Sequence, residues 1–133
     1  GKFQCQADTL ARSEFGALRA IVAGEGPTVL LIHGVGLRAE AWNAQIDALV
    51  GRFRVVAIDM PGHGQSLLSE EIQSLSGYTD AIADGLDEPA FVIGHSMGAM
   101  IALDIAVRYP HLVGGVSALN AIFQRDQSAL AAV

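Results

Sequence analysis

Three short apolar segments divide the chain into alternating strand and helix regions. Each is almost entirely apolar instead of alternating with polar residues, as expected of strands that are covered on both faces. The three segments are Thr28–Ile32, Arg54–Ile58 and Ala90–Ile93. Because helical patterns lie between and after them, the sequence predicts βαβ units around a mostly parallel sheet with flanking helices, the α/β class.

The remaining elements extend this sheet and cover it. A fourth central strand is predicted within Val113–Ile122, and an antiparallel edge hairpin of two short strands within Phe3–Ala23. A short helix is expected around Tyr78–Leu86, and the stretch Gln124–Val133 resembles the opening of another. Apolar spacings of three and four predict two further helices. One carries Trp42, Ile46, Leu49, Val50 and Phe53, and the other carries Met100, Ile101, Ile105, Ala106 and Tyr109 and is ended by Pro110.

Composition excludes several classes of function. The 133 residues, 51% of them hydrophobic and 17% charged, suit one globular domain. Eight Lys and Arg against fourteen Asp and Glu give a formal charge of -6, which disfavours nucleic-acid binding. The apolar segments are far shorter than the roughly 20 residues of a membrane-spanning helix. Cys5 is the single cysteine, so it forms no internal disulfide and makes a poor metal site. With no secretory signal at the start, we expect a cytoplasmic protein.

The segment Gly94-His95-Ser96-Met97-Gly98 joins the third predicted strand to a predicted helix. It fits the pattern G-x-S-x-G in the strand–turn–helix context that makes the pattern specific. A serine in so sharp a turn has a strained backbone, and small residues two positions before and after it leave room for the turn. Ser96 would then lie above the sheet at a helix N-terminus, as a candidate nucleophile. The alternative is a serine that only caps the helix between incidental glycines.

A second turn, His33-Gly34-Val35-Gly36, directly follows the first predicted strand. Such a turn can direct a backbone N–H group at the space above a neighbouring strand end. The backbone N–H groups of Val35 and Met97 are therefore the candidate donors of an oxyanion hole. The alternative is a glycine turn without a catalytic role.

Three segments, in this order and spacing, resemble the N-terminal portion of α/β-hydrolase-fold serine hydrolases of the esterase or lactonase type. They are Leu31–Gly36, Asp59–Ser66 and Gly94–Gly98, and the resemblance covers about residues 15–123. It implies acyl transfer to Ser96 from a small-molecule substrate with a carboxylester, a lactone or a carbon–carbon bond next to a carbonyl, without a cofactor or metal. It also implies an open sheet that is antiparallel over its first two strands, and a structural role for Asp59.

The same resemblance places a catalytic acid and then a histidine downstream of the serine. Only His111 follows Ser96, and its position after a helix end predicts that it lies at the opposite edge of the sheet. Asp126 lies in a polar stretch typical of a helix start. We therefore expect residues 1–133 to form a single partial domain, truncated after the fourth central strand and inactive alone. The acid and histidine would lie outside it, in the same protein, in a homo-oligomer or in a second chain.

Two other classes of function compete with this interpretation. Gly34, Gly36 and Ala39 fit the G-x-G-x-x-A turn of dinucleotide-binding domains, and Asp59 ends the next strand, where a ribose-binding carboxylate would lie. That hypothesis explains neither G-x-S-x-G nor the turn directly after Asp59. The other is a non-catalytic binding module that keeps the fold, in which Ser96 is a relic.

Overall fold

The computed structural model describes residues 12–60, 66 and 74–119, which form one mixed sheet with helices on both faces. In the described ranges two short 3-10 turns, Ala39–Trp42 and Pro110–Leu112, precede α1 and β6 respectively. The helices and strands in chain order are β1 (Arg12–Phe15), β2 (Leu18–Ala23), β3 (Thr28–Ile32), α1 (Asn43–Leu49), β4 (Arg54–Ile58), α2 (Leu75–Ala83), β5 (Ala90–His95), α3 (Met97–Arg108) and β6 (Val113–Leu119).

The sheet has the strand order β1-β2-β4-β3-β5-β6. β1 pairs antiparallel with β2 and β2 with β4, whereas β4, β3, β5 and β6 pair in parallel. This arrangement confirms the mostly parallel α/β sheet and its antiparallel edge hairpin. The predicted bounds of β3 and β4 are correct, and β5 is two residues longer than expected. Residues 3–11 and 120–122 of the predicted strands lie outside the described residues.

The central strands are covered on both faces, as their continuous apolar sequence predicts. All five residues of β3 are buried. Leu30 and Ile32 belong to one core cluster, which includes residues of α2 and α3, while Val29 and Leu31 belong to a second cluster with Trp42. Successive side chains of a strand point to opposite faces, so a strand buried on both faces is apolar at nearly every position.

The helix predicted to end at Pro110 is confirmed as α3, which ends at Arg108. The helix expected to open within Gln124–Val133 lies outside the described residues. The other two helix predictions located the buried face better than the helix ends. The helix expected to reach Phe53 ends at Leu49, and Phe53 contacts the same cluster from the following turn, where its amide donates to the Leu49 carbonyl at 2.9 Å. The helix expected at 78–86 occupies Leu75–Ala83 because the hydroxyl of Ser74 accepts from the Gly77 amide at 3.1 Å and caps its start. Within the described ranges, no helix is long and apolar enough to cross a membrane.

A polar cluster ties α2 to the end of α3. The Arg108 guanidinium lies 2.6 Å from Asp80 and 3.2 Å from Asp104, and the Tyr109 hydroxyl donates to Asp80 at 2.6 Å. The hydrogen bond from Tyr109, together with the charge of Arg108, lowers the pKa of Asp80 below its ordinary 3.8. The same bond raises the pKa of Tyr109, since the carboxylate favours the protonated phenol. These contacts hold α3, the helix that follows Ser96, against α2.

Candidate active site

Ser96 occupies a strained turn between β5 and α3. Its φ is 60° and its ψ is -119°, and among the described non-glycine residues it alone has a positive φ. Its amide donates to the carbonyl of Leu119 at 2.8 Å, and its carbonyl accepts from the Ala99 amide at 3.0 Å. A backbone in this region costs on the order of 1–3 kcal/mol, so the surrounding structure has to hold it in place.

Gly94 and Gly98 are the two positions that make this turn possible. A Cβ atom at residue 94 would lie 2.0 Å from the Gly98 carbonyl oxygen, and one at residue 98 would lie 2.2 Å from the carbonyl oxygen of Ile32. Both distances are shorter than real Cβ contacts, and the opposing atoms belong to the backbone and cannot rotate away. The two glycines of the pattern are therefore required by the close approach of α3 to the ends of β5 and β3.

The hydroxyl of Ser96 does not cap the helix that follows it. Ser96 is the residue before α3, but its side chain makes no capping hydrogen bond. The side chain is half-buried. This geometry argues against the helix-cap alternative, because a capping serine accepts a hydrogen bond from the amide two or three residues later.

The turn after β3 lies directly against Ser96. A Cβ atom at Gly34 would lie 3.1 Å from Ser96 Cβ. The Leu37 amide donates to the Gly34 carbonyl at 3.2 Å and Gly36 has a φ of 84°, which is the geometry of a type II turn. Val35, the second residue of this turn, is 62% exposed. The residues expected to form the oxyanion hole thus lie on two adjacent turns.

The backbone N–H groups of Val35 and Met97 are available as donors. In the described part of the chain, neither donates a hydrogen bond to a protein acceptor. Met97 is the first residue of α3, where an amide has no acceptor within its own helix. Their role in an oxyanion hole stays a prediction.

His33 holds the turn in place through both ring nitrogens. Nε2 accepts from the Met60 amide at 3.0 Å, so it carries no proton, and Nδ1 therefore donates to the Gly34 carbonyl at 2.7 Å. The side chain is 1% exposed. Sequence reasoning missed this role, because the contact joins two strand ends that lie 27 residues apart. His33 is thus a neutral positioning residue and is not free to act as a base.

Asp59 is structural, as the resemblance implies. Its carboxylate is fully buried and accepts from the Ala39 amide at 2.7 Å, at the start of the 3-10 turn. Its carbonyl accepts from the Ser66 hydroxyl at 2.6 Å, and that hydroxyl accepts from the Arg19 amide at 2.9 Å. Because this carboxylate is buried and already accepts a backbone hydrogen bond, it is not accessible to the ribose of a dinucleotide. This observation argues against the dinucleotide-binding alternative.

A cavity of about 270 Å³ opens beside the two turns. Trp42 contributes to this cavity and also to the core, where it is 6% exposed. Met100, which lies on α3, borders a separate surface depression. The cavity is lined by His33, Leu37, Ala41, Trp42, Gln45, His95 and Leu119. The lining is mainly apolar, and it includes His95, the residue that precedes Ser96.

No histidine in the described ranges is hydrogen-bonded to the Ser96 hydroxyl. His111 precedes the amino end of β6, whereas Ser96 bonds Leu119 at its carboxyl end. Seven residues of strand separate the two ends by about 20 Å. His95 lines the cavity next to Ser96 and already has a contact of its own. His63 and Asp126 lie outside the described residues. Within these ranges, no three His, Cys, Asp or Glu side chains are grouped to bind a metal.

Comparison with known families agrees with this geometry. The model of the alpha/beta hydrolase family matches residues 29–132. The chain belongs to the alpha/beta hydrolase family. The match includes both turns of the site and most of the sheet.

Two curated relatives and one solved structure illustrate the similarity. The (E)-2-((N-methylformamido)methylene)succinate hydrolase of Acinetobacter baylyi is 38% identical, over 83% of this chain and 43% of its own length. A pimeloyl-[acyl-carrier protein] methyl ester esterase of Methylococcus capsulatus is 39% identical, over 73% of this chain and 38% of its length. A serine hydrolase involved in carbazole degradation superposes with a TM-score of 0.74 at 27% identity, covering 80% of this chain and 46% of that one. The chain thus spans less than half the length of these relatives.

Proposed function

We propose that this chain carries the nucleophile and the oxyanion-binding turns of a serine hydrolase that cleaves ester-like bonds. The observation that carries the proposal is the strained backbone of Ser96 between Gly94 and Gly98. Strain of this kind persists where function requires the side chain to be presented, and here the hydroxyl serves no capping role. Membership of a hydrolase family supports the same assignment.

The reaction proceeds through an acyl-enzyme. The Ser96 hydroxyl loses its proton to a base and attacks the substrate carbonyl, and the N–H groups of Val35 and Met97 stabilise the resulting oxyanion. The leaving group departs with that proton, and the acyl group stays on Ser96. Water, deprotonated by the same base, then attacks the acyl-enzyme and releases the carboxylic acid.

The base and its acid lie outside residues 12–119 in this proposal. Without a base a serine hydroxyl is a weak nucleophile, so the residues shown here would act slowly alone. Further residues of the same protein, a second chain or another copy in a homo-oligomer would supply the histidine.

The proposed substrate class is small molecules with a carboxylester, a lactone or a carbon–carbon bond next to a carbonyl. A cavity of about 270 Å³ with Leu37, Trp42 and Leu119 in its lining suits a short, mainly apolar acyl group. The relatives named as a succinate-derivative hydrolase and a methyl ester esterase support hydrolysis of such bonds. We propose a cytoplasmic location for the enzyme.

Labelling with a fluorophosphonate tests the nucleophile. The protein, together with the residues or chain that supply the base, is incubated with the reagent and its intact mass is measured, with Ser96→Ala as the test variant and Ser76→Ala as a matched control. Ser76 is exposed on α2 and is a poor candidate for reaction. We expect one adduct on the unmodified chain and on the control, and none on Ser96→Ala. An adduct that persists on Ser96→Ala, or a folded protein that contains the base and never reacts, would favour the non-catalytic binding module.

A further inference from the structure

Arg38 follows the turn that ends at Leu37, which lines the cavity, and it has no protein partner among the described residues. Among the arginines whose side chains the structure describes, Arg52, Arg54 and Arg108 contact Phe53, Thr28 and Asp80, respectively, and Arg19 also has a contact. The side chain of Arg38 is exposed, and no hydrogen bond or ion pair to it is found in the described ranges. An unpaired cation stands out in a chain with a formal charge of -6.

The position of Arg38 brings it within reach of a group bound at Ser96. Gly34 packs on Ser96, and the turn from Gly34 to Leu37 closes to less than about 7 Å between its ends. Arg38 follows that turn directly, so its Cα lies no more than about 11 Å from that of Gly34. Leu37 and Ala41, on either side of Arg38 in the chain, both line the cavity.

The lining of the cavity suits a substrate with a charged end. No Asp or Glu belongs to its described lining, so a negative charge would meet no repulsion there. Leu37, Trp42 and Leu119 offer apolar contacts to methylene groups. A guanidinium binds a carboxylate through two parallel hydrogen bonds, which neutral acyl chains cannot form.

We propose that Arg38 determines specificity by binding a carboxylate at the far end of the acyl group. The site would then favour half-esters of short dicarboxylic acids over neutral esters of the same length. This inference rests on the proposed hydrolase function for its catalytic consequence. The preference for an anion depends on Arg38 and does not require a reactive Ser96.

Paired esters test the preference. The protein, together with the residues or chain that supply the base, is assayed with p-nitrophenyl glutarate, which carries a free carboxylate, and with neutral p-nitrophenyl pentanoate. The assay compares the unmodified protein with Arg38→Met, Arg38→Lys and the control Arg52→Met. The ratio of kcat/KM for the anionic ester to kcat/KM for the neutral ester should fall about tenfold in Arg38→Met, as expected for the loss of one charge-assisted contact. The fall should come from a higher KM for the anionic ester. Arg38→Lys should keep part of the preference, and Arg52→Met all of it. A ratio unchanged in Arg38→Met would overturn the proposal.

A binding measurement separates this proposal from the hydrolase assignment. Trp42 is the only tryptophan of the chain and lines the cavity, so its fluorescence reports on binding there. Ser96→Ala, with and without Arg38→Met, is titrated with glutaramate and with neutral pentanamide. We expect glutaramate to bind about tenfold more weakly once Arg38 is replaced. If replacing Arg38 weakens glutaramate binding in this way but Ser96 shows no reactivity, the hydrolase assignment is wrong and the anion site is supported. If glutaramate and pentanamide bind alike, Arg38 has no such role.

Discussion

The replacement of Gly98 by alanine tests whether a close approach of backbones shapes the turn at Ser96. The new methyl group would lie 2.2 Å from the Ile32 carbonyl oxygen and 2.7 Å from that of His33. Ordinary contacts begin at 3.4 Å, so α3 and the end of β3 would have to separate by more than 1 Å. Such a shift moves the first turn of α3 and therefore Ser96 and Met97.

The expected loss of stability follows from two opposed effects. Overpacking a rigid site costs about 1–3 kcal/mol, and the upper part of this range applies because both opposing atoms are backbone carbonyls. Alanine is favoured over glycine within a helix by about 1 kcal/mol, which offsets part of this cost. The net loss should be about 2 kcal/mol in the free energy of unfolding.

Urea unfolding and fluorophosphonate labelling together measure the effect. With a slope of about 1–3 kcal/mol per molar urea, the midpoint of unfolding should fall by about 1 M in Gly98→Ala, and labelling of Ser96 should slow. Gly51→Ala is the matched control, since a Cβ there has no heavy atom within 4 Å and should leave both measurements nearly unchanged. If the two variants unfold at the same urea concentration and label at the same rate, the close approach does not shape the turn.

Three further changes probe the structure that supports the site. His33→Ala leaves the buried Met60 amide without its acceptor, whereas the Gly34 carbonyl keeps its hydrogen bond from the Leu37 amide. The free energy of unfolding should therefore fall by about 1–3 kcal/mol in urea unfolding, and an unchanged value would contradict the role given to the ring. Asp59→Ala should lower the melting temperature more than Asp59→Asn, whose amide oxygen can still accept the same hydrogen bond, and equal melting temperatures would speak against that bond. Asp80 should stabilise the fold above its unfolded pKa near 3.8, and this contribution should disappear as the pH falls through its lower folded pKa. Tyr109→Phe should therefore raise the pKa of Asp80 in an NMR titration of its carboxyl group, and an identical titration curve would refute the assignment.

The sequence predicted the parts of the fold that depend only on the composition of one segment. The bounds predicted for Thr28–Ile32 and Arg54–Ile58 are the observed ones because a strand covered on both faces is apolar at nearly every position. The helix ends were less accurate. Phe53 continues the apolar spacing of α1 but lies outside it, since a residue can pack on the same cluster from a turn as well as from a helix.

Some features of the candidate site could likewise be predicted from one segment of the sequence, and others could not. Gly94 and Gly98 are visible in the sequence because only glycine fits where two backbones touch. The contacts of His33 with Met60 and of Asp59 with Ala39 are not visible in the sequence. Each contact joins residues from different segments, and nothing in either segment alone specifies the partner.

The strain at Ser96 is maintained by burial in the surrounding core. Ile32, Ile101 and Ile105 are fully buried in one cluster that joins β3 to α3. Burial of each such side chain contributes about 1.5–3 kcal/mol. The sum of the three contributions exceeds the cost of the unusual φ, which is about 1–3 kcal/mol. A peptide containing only residues 94–98 would therefore relax to an ordinary backbone. The pattern G-x-S-x-G carries structural meaning here because a buried strand precedes it and an apolar helix follows it.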